Sequence, residues 1–471
     1  MKHYVEQMYT GCLAEAAYYI ESNGDAAIID PLRETEPYLQ KAQERGTKIK
    51  YVFETHFHAD FVSGHLDLAK KTGAKIVYGP NAETLFNAYI AKDGETFKVG
   101  DITIKALHTP GHTLESTCYL LLDEQGKERY LFTGDTLFIG DVGRPDLAVK
   151  DNLTEKDLAG LLYDSLRNKI MPLPDDVIIY PAHGAGSACG KNISIETFDT
   201  LGNQKKKNWA LQSMSKEDFV KEAISGLLPP PPYFPKNAVL NKTGYESIDA
   251  VIERSCLPLD VSIFKEKMKT GALVLDTRSS QDFAGAHIPG AIHIGLDGGP
   301  FAVWVGTLIE DLKTPLLLIT PEGREKEAII RLARVGYENC LGFLKGGMPA
   351  WLNAKEPVHK IQQIGADEFA NLYKTQTIQV IDVRKPGEYA MARLKTAKNI
   401  PLDFIHKNLH KFSKGEKYYI HCAGGYRSMI ACSILKRNGI DNLVDVKGGF
   451  SATSKYLPSH TSTSSTNIFQ S

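Results

Sequence analysis

Long apolar runs and an excess of charge of either sign are both missing from this 471-residue sequence, and each absence excludes a class of function. No segment approaches the roughly 20 consecutive apolar residues that a membrane helix needs, so we expect no membrane span. The 55 Lys and Arg residues balance 56 Asp and Glu residues, which leaves no basic field to attract nucleic acid or anionic lipid. The expected partner is therefore a small molecule, with no nucleic acid and no membrane.

Cysteine is scarce as well, with seven residues scattered along the chain. An odd number of cysteines in a long chain argues against a disulfide framework and favours a reducing compartment. The first residues, MKHYVEQMYTG, have neither the apolar core of an export signal nor the Arg- and Ser-rich character of an organelle presequence. We therefore expect a cytoplasmic protein.

The first half of the sequence has the pattern of a layered α/β fold. AAYYIES and AAIID flank Asn23-Gly24, a typical hairpin turn, and the helix-like HLDLAKKTG precedes the strand-like KIVYG. The proline run Pro229–Pro232 cannot continue a helix or supply the hydrogen-bond donors of a sheet. We therefore place the first domain at residues 1–237, with its boundary near Asn237.

An internal repeat organises the second half. VLDTRSSQDFAGAHIPGAIHI aligns without gaps with VIDVRKPGEYAMARLKTAKNI, so that Asp276 matches Asp382 and Arg278 matches Arg384. Each copy ends in a similar glycine pair, GGMPA in the first and GGFSA in the second. We predict two related α/β domains and, after them, a Ser/Thr-rich disordered tail: 238–358, 359–457 and 458–471.

Histidine and aspartate residues follow the strand-like runs of the first domain. The stretch T-H-F-H-A-D, from Thr55 to Asp60, comes directly after the apolar run YVFE, and TPGHT, FTGDT and YPAHG follow later runs. Ligand-binding side chains gather at strand ends in α/β folds, so these residues together predict a metal centre. They are His56, His58, Asp60, His112, Asp135 and His183.

This pattern resembles the metallo-β-lactamase superfamily, whose members carry an HxHxDH motif followed by further His, Asp and His ligands. The resemblance implies an N-terminal metallo-β-lactamase αββα sandwich. One departure is that Phe61 replaces the last histidine of the motif, which in the binuclear hydrolases of the superfamily is a ligand of the second metal. The departure argues against a stable two-metal hydrolase site.

A mononuclear site made of His56, His112 and Asp135 is a 2-His-1-carboxylate triad, the arrangement of non-haem Fe(II) oxygenases. The sequence also resembles the persulfide dioxygenase branch of the superfamily in GDTLFIGDVGRPD and in AHGAGSACG. This resemblance implies that the triad binds one Fe(II) per chain and that O2 is the co-substrate.

The same resemblance gives the remaining residues supporting roles. His58, Asp60 and His183 orient the ligands or hold water around the metal. Arg144 forms a structural ion pair with Asp146, and direct substrate contact by Arg144 is the lesser alternative. Cys189 is a candidate redox residue if it faces the iron pocket, and the alternative of a small buried residue stays open.

A strand, a glycine-containing loop and a helix surround Cys422 in YYIHCAGGYRSMIACSILKRNG. Backbone N–H groups of such a loop and the N-terminus of the helix stabilise a thiolate, and Arg427 either fixes the loop or binds an incoming anion. The loop, the DVR stretch and the closing GGF together resemble a rhodanese. Four residues separate Cys422 from Arg427, the rhodanese length, which favours sulfur over phosphate. The resemblance implies that Cys422 accepts a sulfane sulfur within a loop formed by Ala423, Gly424, Gly425, Tyr426 and Ser428.

The first of the two rhodanese-like domains lacks this cysteine. It keeps AHIPGA, typical of the family, but its loop is ITPEGRE, at Ile319–Glu325. The second domain has the cysteine but carries ARLKTA in place of the usual GHIxGA. We expect the first domain to be an inactive spacer or docking surface.

The combined domains predict a sulfide-detoxifying enzyme. The iron site would oxidise a low-molecular-weight thiol persulfide, such as glutathione persulfide, to sulfite, and Cys422 would convert sulfite to thiosulfate. The reverse direction, in which thiosulfate supplies persulfide, stays open. The alternatives are a glyoxalase II-like zinc thioesterase with a sulfurtransferase domain and a non-enzymatic sulfur carrier or sensor. A homo-oligomer, dimer or tetramer, is expected.

Overall fold

The computed structural model of the chain describes residues 3–149 and 153–460, and the chain divides into two compact units. The first unit extends to Val251 and includes Ile330–Tyr337, and the second comprises Ile252–Ile329 and the chain from Glu338 onward. Both units are mixed α/β, as predicted.

The first unit contains two six-stranded sheets. One sheet is made of β1 (His3–Thr10), β2 (Glu15–Ser22), β3 (Asp25–Ile29), β4 (Lys48–Phe53), β5 (Lys75–Tyr78) and β6 (Tyr89–Ile90), in that order. The other has the order β12-β11-β10-β9-β8-β7 and is made of β7 (Thr96–Val99), β8 (Ile102–His108), β9 (Thr117–Leu122), β10 (Glu128–Gly134), β11 (Ile178–Pro181) and β12 (Asp199–Thr200).

The helices along this part of the chain are α1 (Glu36–Arg45), α2 (His65–Thr72), α3 (Glu155–Ser165), α4 (Leu201–Lys207), α5 (Lys216–Ile224), α6 (Phe234–Thr243) and α7 (Ile248–Ser255). A π-helical turn, Leu166–Ile170, continues α3, and Trp209–Leu211 forms a 3₁₀ turn. The predicted hairpin is present, because β2 and β3 pair antiparallel with Ser22 opposite Asp25. Asn23 and Gly24 both have positive φ angles, 45° and 82°, as the tight turn requires.

Successive side chains of each strand point to opposite faces of the sheet, and this alternation produces the layers of the sandwich. On β2, Tyr18 and Ile20 join the core between the two sheets, while Ala17 and Tyr19 face the opposite side and pack with residues of α1 and α2. The outer face of the second sheet packs on α3, α4 and α5. The first unit is therefore the predicted αββα sandwich.

The end of this unit differs from the prediction. Helix α6 starts at Phe234, after the cap residue Tyr233, and continues through Asn237, the predicted boundary. Pro235 is tolerated because it occupies the first turn, where a backbone N–H is not needed. Asn237 and Asn241 on this helix are buried. The proline run is an irregular connection between α5 and α6 within the unit, and the unit continues to Val251.

The second unit contains two five-stranded sheets with the same topology. The first has the order β13-β17-β16-β14-β15, from β13 (Pro258–Leu259), β14 (Leu273–Asp276), β15 (Ile292–His293), β16 (Leu316–Ile319) and β17 (Cys340–Leu344). The second has the order β18-β22-β21-β19-β20, from β18 (Gln362–Ile364), β19 (Gln379–Asp382), β20 (Lys398–Asn399), β21 (Tyr418–His421) and β22 (Leu443–Val446). All pairs in both sheets are parallel, which confirms the internal repeat.

The remaining helices are α8 (Val261–Lys269), α9 (Ser280–Gly285), α10 (Phe301–Leu308), α11 (Glu325–Ala333), α12 (Gly347–Asn353), α13 (Ala366–Thr375), α14 (Pro386–Met391), α15 (Tyr426–Arg437) and α16 (Gly449–Thr453). Two 3₁₀ turns, Leu402–Phe404 and His406–Lys411, precede β21. We use "first repeat" for the sheet β13–β17 with its helices and "second repeat" for the sheet β18–β22 with its helices.

The predicted tail falls largely outside the described residues, which end at His460. Within the part that is described, His460 forms a short bridge with Arg393, so the ordered chain extends past the predicted start of the tail at residue 458. None of the described helices is both long enough and apolar enough to span a membrane.

Candidate metal centre and cysteine loop

The predicted metal-binding residues of the first unit all lie in loops that leave strands. The loop after β4 carries His56, His58 and Asp60, and the loop between β8 and β9 carries His112. Asp135 directly follows β10, and His183 follows β11. Since these strands lie in the two packed sheets, their loops bring the six side chains together, and all six are buried.

His56, His112 and Asp135 form one group whose ligand atoms lie within 4.8 Å of one another. Asp135 Oδ2 lies 3.8 Å from His56 Nε2 and 3.4 Å from His112 Nε2. Burial and the neighbouring imidazoles lower the pKa of His56 well below its ordinary value, which leaves it in the neutral form that binds metals.

The second nitrogen of each imidazole is held by the protein. His112 Nδ1 lies 2.8 Å from the carbonyl oxygen of Arg144, which can only accept, so Nδ1 carries the proton and Nε2 is free to bind a metal. His56 Nδ1 lies 3.0 Å from the Thr55 hydroxyl, which itself donates to Asp30 at 2.8 Å. Both imidazoles are therefore oriented with Nε2 toward Asp135.

Asp135 has the environment of a metal ligand. Its two carboxylate oxygens are buried, and neither has a hydrogen-bond partner of good geometry among the described residues. An ionised carboxylate in this position requires a compensating positive charge, because burial of an unpaired charge is costly. The three donors together fit a divalent metal ion with a 2-His-1-carboxylate set.

A second group of buried ligand atoms consists of His58, Asp60 and His183. His183 Nε2 lies 3.4 Å from Asp60 Oδ2 and 3.4 Å from Asp135 Oδ1, so Asp135 stands between the two groups. Phe61 is fully buried beside them, with its ring centroid 4.3 Å from that of His58. An apolar ring thus occupies the position next to this group where the superfamily motif has a histidine.

His58 is paired with two carboxylates. Its Nε2 lies 3.1 Å from Asp30 Oδ1 and 3.6 Å from Glu54 Oε2. Burial by itself would lower the pKa of His58, but the carboxylates outweigh burial and raise the pKa to about 9. A protonated imidazole has no lone pair for a metal, so this pairing favours the predicted supporting role of His58.

Arg144 and Asp146 form the predicted ion pair, with Arg144 Nε and Nη2 donating to the two Asp146 oxygens at 2.6 and 2.7 Å. Arg144 Nη2 also donates to the carbonyl of Leu228 at 2.6 Å, so the guanidinium ties several loops together. The carbonyl of Arg144 is the group that holds His112. Its contacts are thus those of a positioning residue.

Cys189 is buried, and its sulfur lies within 4.8 Å of ligand atoms of Asp135 and His183. Burial and the carboxylates of Asp60 and Asp135 raise the pKa of the Cys189 thiol well above its ordinary value. The residue therefore faces the metal centre, as the redox hypothesis requires, as a neutral thiol.

Three supporting residues were missed by sequence reasoning. Asp30 directly follows β3 and accepts hydrogen bonds from the backbone and side chain of Thr55, at 2.7 and 2.8 Å. Glu54 lies beside His58, and the side-chain amide of Asn241 donates to the carbonyls of His58 and Phe61 at 2.7 Å each. An acidic residue at the end of the buried run AAIID was a usable signal for Asp30. No local sequence pattern indicates a supporting role for Asn241.

The cysteine loop of the second repeat lies between β21 and α15. Cys422 is 1% exposed, and the backbone N–H of Gly425 donates to its sulfur at 3.0 Å. The sulfur also lies 3.7 Å from the Ser428 hydroxyl. The closing glycine turn supports the loop from the other side, since the N–H groups of Phe450 and Ser451 donate to the carbonyls of Cys422 and Ala423 at 2.7 and 3.0 Å.

Arg427 has a partner that sequence reasoning did not identify. Its two terminal nitrogens donate to both oxygens of Glu388 at 2.6 and 2.7 Å, a bidentate pair. This geometry favours the first of the two roles expected for Arg427, in which the guanidinium fixes the loop.

The repeated Asp–Arg pairs have matching structures. Arg278 Nη2 donates to Asp276 at 2.6 Å and to the carbonyl of Ala286 at 2.8 Å. Arg384 Nη2 donates to Asp382 at 2.6 Å and to the carbonyl of Ala392 at 2.7 Å. In both repeats the pair joins the end of a strand to the loop that follows the next helix, an architectural role.

The sheet register identifies what replaces the cysteine in the first repeat. Asp276 lies opposite Ile319, as Asp382 lies opposite His421. The next residues are therefore equivalent, and Thr320 occupies the position of Cys422.

Comparison with known proteins agrees with this architecture. The family model described as the metallo-beta-lactamase superfamily matches residues 10–183, and the rhodanese-like domain model matches twice, at residues 260–354 and 365–455. A crystal structure of a metallo-beta-lactamase from Staphylococcus aureus is 32% identical with a TM-score of 0.66, covering 73% of this chain and 99% of that chain.

Curated relatives of the first unit are named as hydrolases. A probable hydroxyacylglutathione hydrolase of Schizosaccharomyces pombe is 36% identical over 162 residues, 33% of this chain and 58% of its own length. The hydroxyacylglutathione hydrolase GloC of Haemophilus influenzae is 29% identical over 213 residues, 41% of this chain and 89% of its own length. The chain thus spans little more than half of the first of these relatives.

Proposed function

Since this chain belongs to the metallo-beta-lactamase superfamily and carries two rhodanese-like domains, we propose that it oxidises low-molecular-weight thiol persulfides and transfers their sulfur. The proposed metal is one Fe(II) in the first unit, and the proposed nucleophile is Cys422 in the second. Glutathione persulfide is the proposed type of substrate.

The observation that carries this proposal is the buried triad of His56, His112 and Asp135, with Phe61 beside the neighbouring group. Three protein ligands leave open positions for a substrate and for O2, which is the arrangement of Fe(II) oxygenases. The second group is a weaker metal site, because Phe61 supplies no ligand and His58 is paired with Asp30 and Glu54.

When bound, Fe(II) supplies the redox chemistry that brings a persulfide and O2 together. The chain itself orients His56 through Thr55 and Asp30, and His112 through the carbonyl of Arg144. The buried Phe61 ring keeps water out of one side of the centre. In the proposed reaction, one persulfide, one O2 and one water give one thiol, one sulfite and two protons.

The second step uses Cys422. Its thiolate attacks the sulfane sulfur of a second persulfide, the new S–S bond forms on Cys422, and the thiol leaves as a thiolate. Sulfite then attacks the outer sulfur, thiosulfate leaves, and the Cys422 thiolate is restored. The glycine loop supports the anionic sulfur through the Gly425 N–H.

A second candidate is a zinc thioesterase of the hydroxyacylglutathione hydrolase type. It is favoured by the hydrolase names of the relatives and by the second group of ligand atoms, His58, Asp60 and His183. A two-metal hydrolase needs both groups to be filled, which makes metal content a direct test.

The test begins with anaerobic reconstitution of the full chain with Fe(II) or Zn(II) and measurement of bound metal per chain. Oxygen uptake is then followed with glutathione persulfide, sulfite and thiosulfate are assayed, and hydrolysis of a glutathione thioester is measured in parallel. We expect one iron per chain, O2 uptake that Asp135→Ala abolishes, and thiosulfate from the wild type but sulfite from Cys422→Ser. Two zinc ions per chain with thioester hydrolysis and no O2 uptake would establish the second candidate instead.

A further inference from the structure

One short segment of the first repeat belongs to the first unit. Ile330–Tyr337, which contains the end of α11 and the residues after it, groups with the chain up to Val251, whereas the chain on either side of it belongs to the second unit. The helix ends at a left-handed residue, Gly336, whose φ angle is 83°. Carbonyl groups at the end of a helix need partners from elsewhere, and the carbonyl of Arg334 accepts from the N–H of Val62 at 2.7 Å.

We infer that this segment positions the metal loop, residues 55–63, and that Arg334 is a positioning residue of the metal centre. The inference rests on the proposed function, since it takes His56, His112 and Asp135 as the ligands of the metal. It gives the repeat that lacks the cysteine a part in the first reaction step, whereas the sequence predicted an inactive spacer or docking surface.

The side chain of Arg334 joins further loops to the same segment. Its Nε donates to Glu34 Oε2 at 3.0 Å and its Nη2 donates to Glu34 Oε1, which makes a bidentate pair, while Nη1 donates to Cys12 Sγ at 3.6 Å. Cys12 lies between β1 and β2, Glu34 follows β3, and Val62 follows β4. Because β2 runs antiparallel to β3 and β3 runs parallel to β4, these three loops lie at one edge of the first sheet. This edge is the one that carries the metal loop.

The metal loop is held through its backbone. The side chain of Asn241 donates to the carbonyls of His58 and Phe61 and accepts from the N–H of Ser63 at 2.9 Å. The bond from Val62 to Arg334 adds an anchor from the first repeat directly after Phe61, and Val62 is fully buried. The position of the loop therefore depends on distant chain segments, of which the Arg334 segment is one.

Arg334 also compensates negative charge behind the metal centre. Glu15 is fully buried, and neither of its carboxylate oxygens has a hydrogen-bond partner of good geometry among the described residues. Burial and the carboxylates of Asp60 and Asp30 raise the pKa of Glu15 well above its ordinary value, and Arg334 acts in the opposite direction. Glu15 forms a backbone bridge with His183, so this buried carboxyl group adjoins the metal centre. A cation at position 334 thus balances acidic groups as well as joining loops.

The second repeat has an arginine at the equivalent position. LARVGYEN of the first repeat aligns with LKRNGIDN of the second, so Arg437 matches Arg334 and Gly439, with a φ angle of 79°, matches Gly336. Arg437 donates through Nη1 to the carbonyl of Gly290 in the first repeat. The two arginines thus end equivalent helices but bind different parts of the chain, which makes Arg437 the matched control position.

The test compares Arg334→Gln with Arg437→Gln in the full chain. Arg334→Gln removes the bidentate pair with Glu34, and Arg334→Lys keeps the charge with fewer donors. The Kd for Fe(II) is measured anaerobically by competition with a chelator, and the EPR spectrum of the Fe(II) protein with nitric oxide reports the geometry around the metal. Sulfur transfer by Cys422 verifies that the second unit is folded in each variant.

We expect Arg334→Gln to raise the Kd for Fe(II) about tenfold, the usual effect of losing a group that orients metal ligands, and to change the EPR spectrum. Arg437→Gln should match the wild type in both measurements. Removal of a positive charge near a cation site would by itself strengthen metal binding, so weaker binding reports a loss of position. Arg334→Lys should fall between the wild type and Arg334→Gln, and it provides the same comparison if Arg334→Gln fails to fold.

Unchanged or stronger Fe(II) binding in folded Arg334 variants, with the EPR spectrum of the wild type, would overturn the inference. The same titrations with Zn(II) separate this result from the proposed function. If the wild type takes up no O2 with a persulfide, the proposed function fails, while a larger Kd for Zn(II) in Arg334→Gln than in Arg437→Gln still supports the positioning role. Equal Kd values for Zn(II) and Fe(II) in these two variants would contradict it.

Discussion

The two repeats of the second unit share a sheet architecture but differ at the loop that carries the nucleophile. Both sheets have the same strand order, and both Asp–Arg pairs make the same contacts. Both closing glycine pairs have positive φ angles, 72° and 55° in the first repeat and 70° and 55° in the second. A difference that bears on the chemistry lies in the strand-end loop, where Thr320 in one repeat stands in the position of Cys422 in the other. The two repeats therefore keep the same sheet architecture whether or not the strand-end loop carries the cysteine.

The loops also differ in their electrostatics. The second repeat presents Ala423, Gly424 and Gly425 after the cysteine, whereas the first presents Pro321 and Glu322 after Thr320. Proline lacks a backbone N–H, and glutamate repels an anionic sulfur. The first loop consequently lacks the nucleophile, and the N–H of Gly323, at the position of Gly425, donates to Glu325 instead.

The largest expected effect comes from exchanging the residues at the equivalent positions. Cys422→Thr should reduce sulfur transfer at least about 10³-fold, because the nucleophile is lost. Adding Thr320→Cys to this variant should restore none of the activity, because Glu322 repels a thiolate and the N–H of Gly323 donates to Glu325. Transfer is measured by thiosulfate formation, and recovery of activity in the double variant would show that the two loops are equivalent apart from the cysteine.

The Asp–Arg pairs should respond alike in both repeats. Asp276→Asn and Asp382→Asn each remove one charge from a buried ion pair, and breaking such a pair costs about 3 to 5 kcal/mol. Hydrogen exchange of the full chain measures the local stability of each repeat. A large loss in only one repeat would contradict the shared architectural role.

Asp445→Asn is expected to raise the stability of the second repeat, whereas the substitutions in the Asp–Arg pairs are expected to lower it. Burial raises the pKa of Asp445 to about 6, although Ser428 and Gln363 act to lower it. Because the folded-state pKa lies above the unfolded value, the ionised carboxylate destabilises the fold increasingly as the pH rises from about 4 to about 6. Asp445→Asn should therefore stabilise the second repeat at pH 7 by up to about 3 kcal/mol, with the gain disappearing below about pH 4. Denaturation at both pH values checks this, and a gain that is independent of pH would assign the effect to packing.

The smallest expected effect concerns the arginine pairs at the two loops. Glu388→Gln weakens the bidentate hold on Arg427 and should lower sulfur transfer roughly fivefold to tenfold. Glu327→Gln at the Arg324 pair of the first repeat is the control and should leave transfer unchanged. Equal losses of sulfur transfer in both variants would show that the two arginine pairs affect the reaction alike. That result would contradict this difference between the repeats.

Local sequence patterns predicted the features that depend on neighbouring residues. The apolar runs that end in Gly, Pro or Thr predicted that His56, His112 and Asp135 lie at strand ends. The Asn23-Gly24 turn was predicted because Asn and Gly tolerate positive φ angles. The repeat was predicted from self-similarity. The fold class and the presence of metal-binding residues could therefore be obtained without coordinates.

The remaining features of the site depend on contacts between residues that are far apart in the sequence. The contacts of Asn241 with the His58–Phe61 segment, the Asp30–Thr55–His56 connection and the Arg427–Glu388 pair join residues that no local pattern relates. The first unit extends past the predicted boundary near Asn237, because the extent of a compact unit depends on which distant side chains pack together.

By itself, the sequence determined which side chains are available for chemistry and at which strand ends they stand, because strand periodicity and turn preference act over a few residues. Only the tertiary structure decided which of them meet. It brings His56 and His112 to Asp135, pairs His58 with Asp30, and places residues of both repeats around one cavity. Those choices depend on how distant parts of each unit pack, and packing is a property of the whole fold.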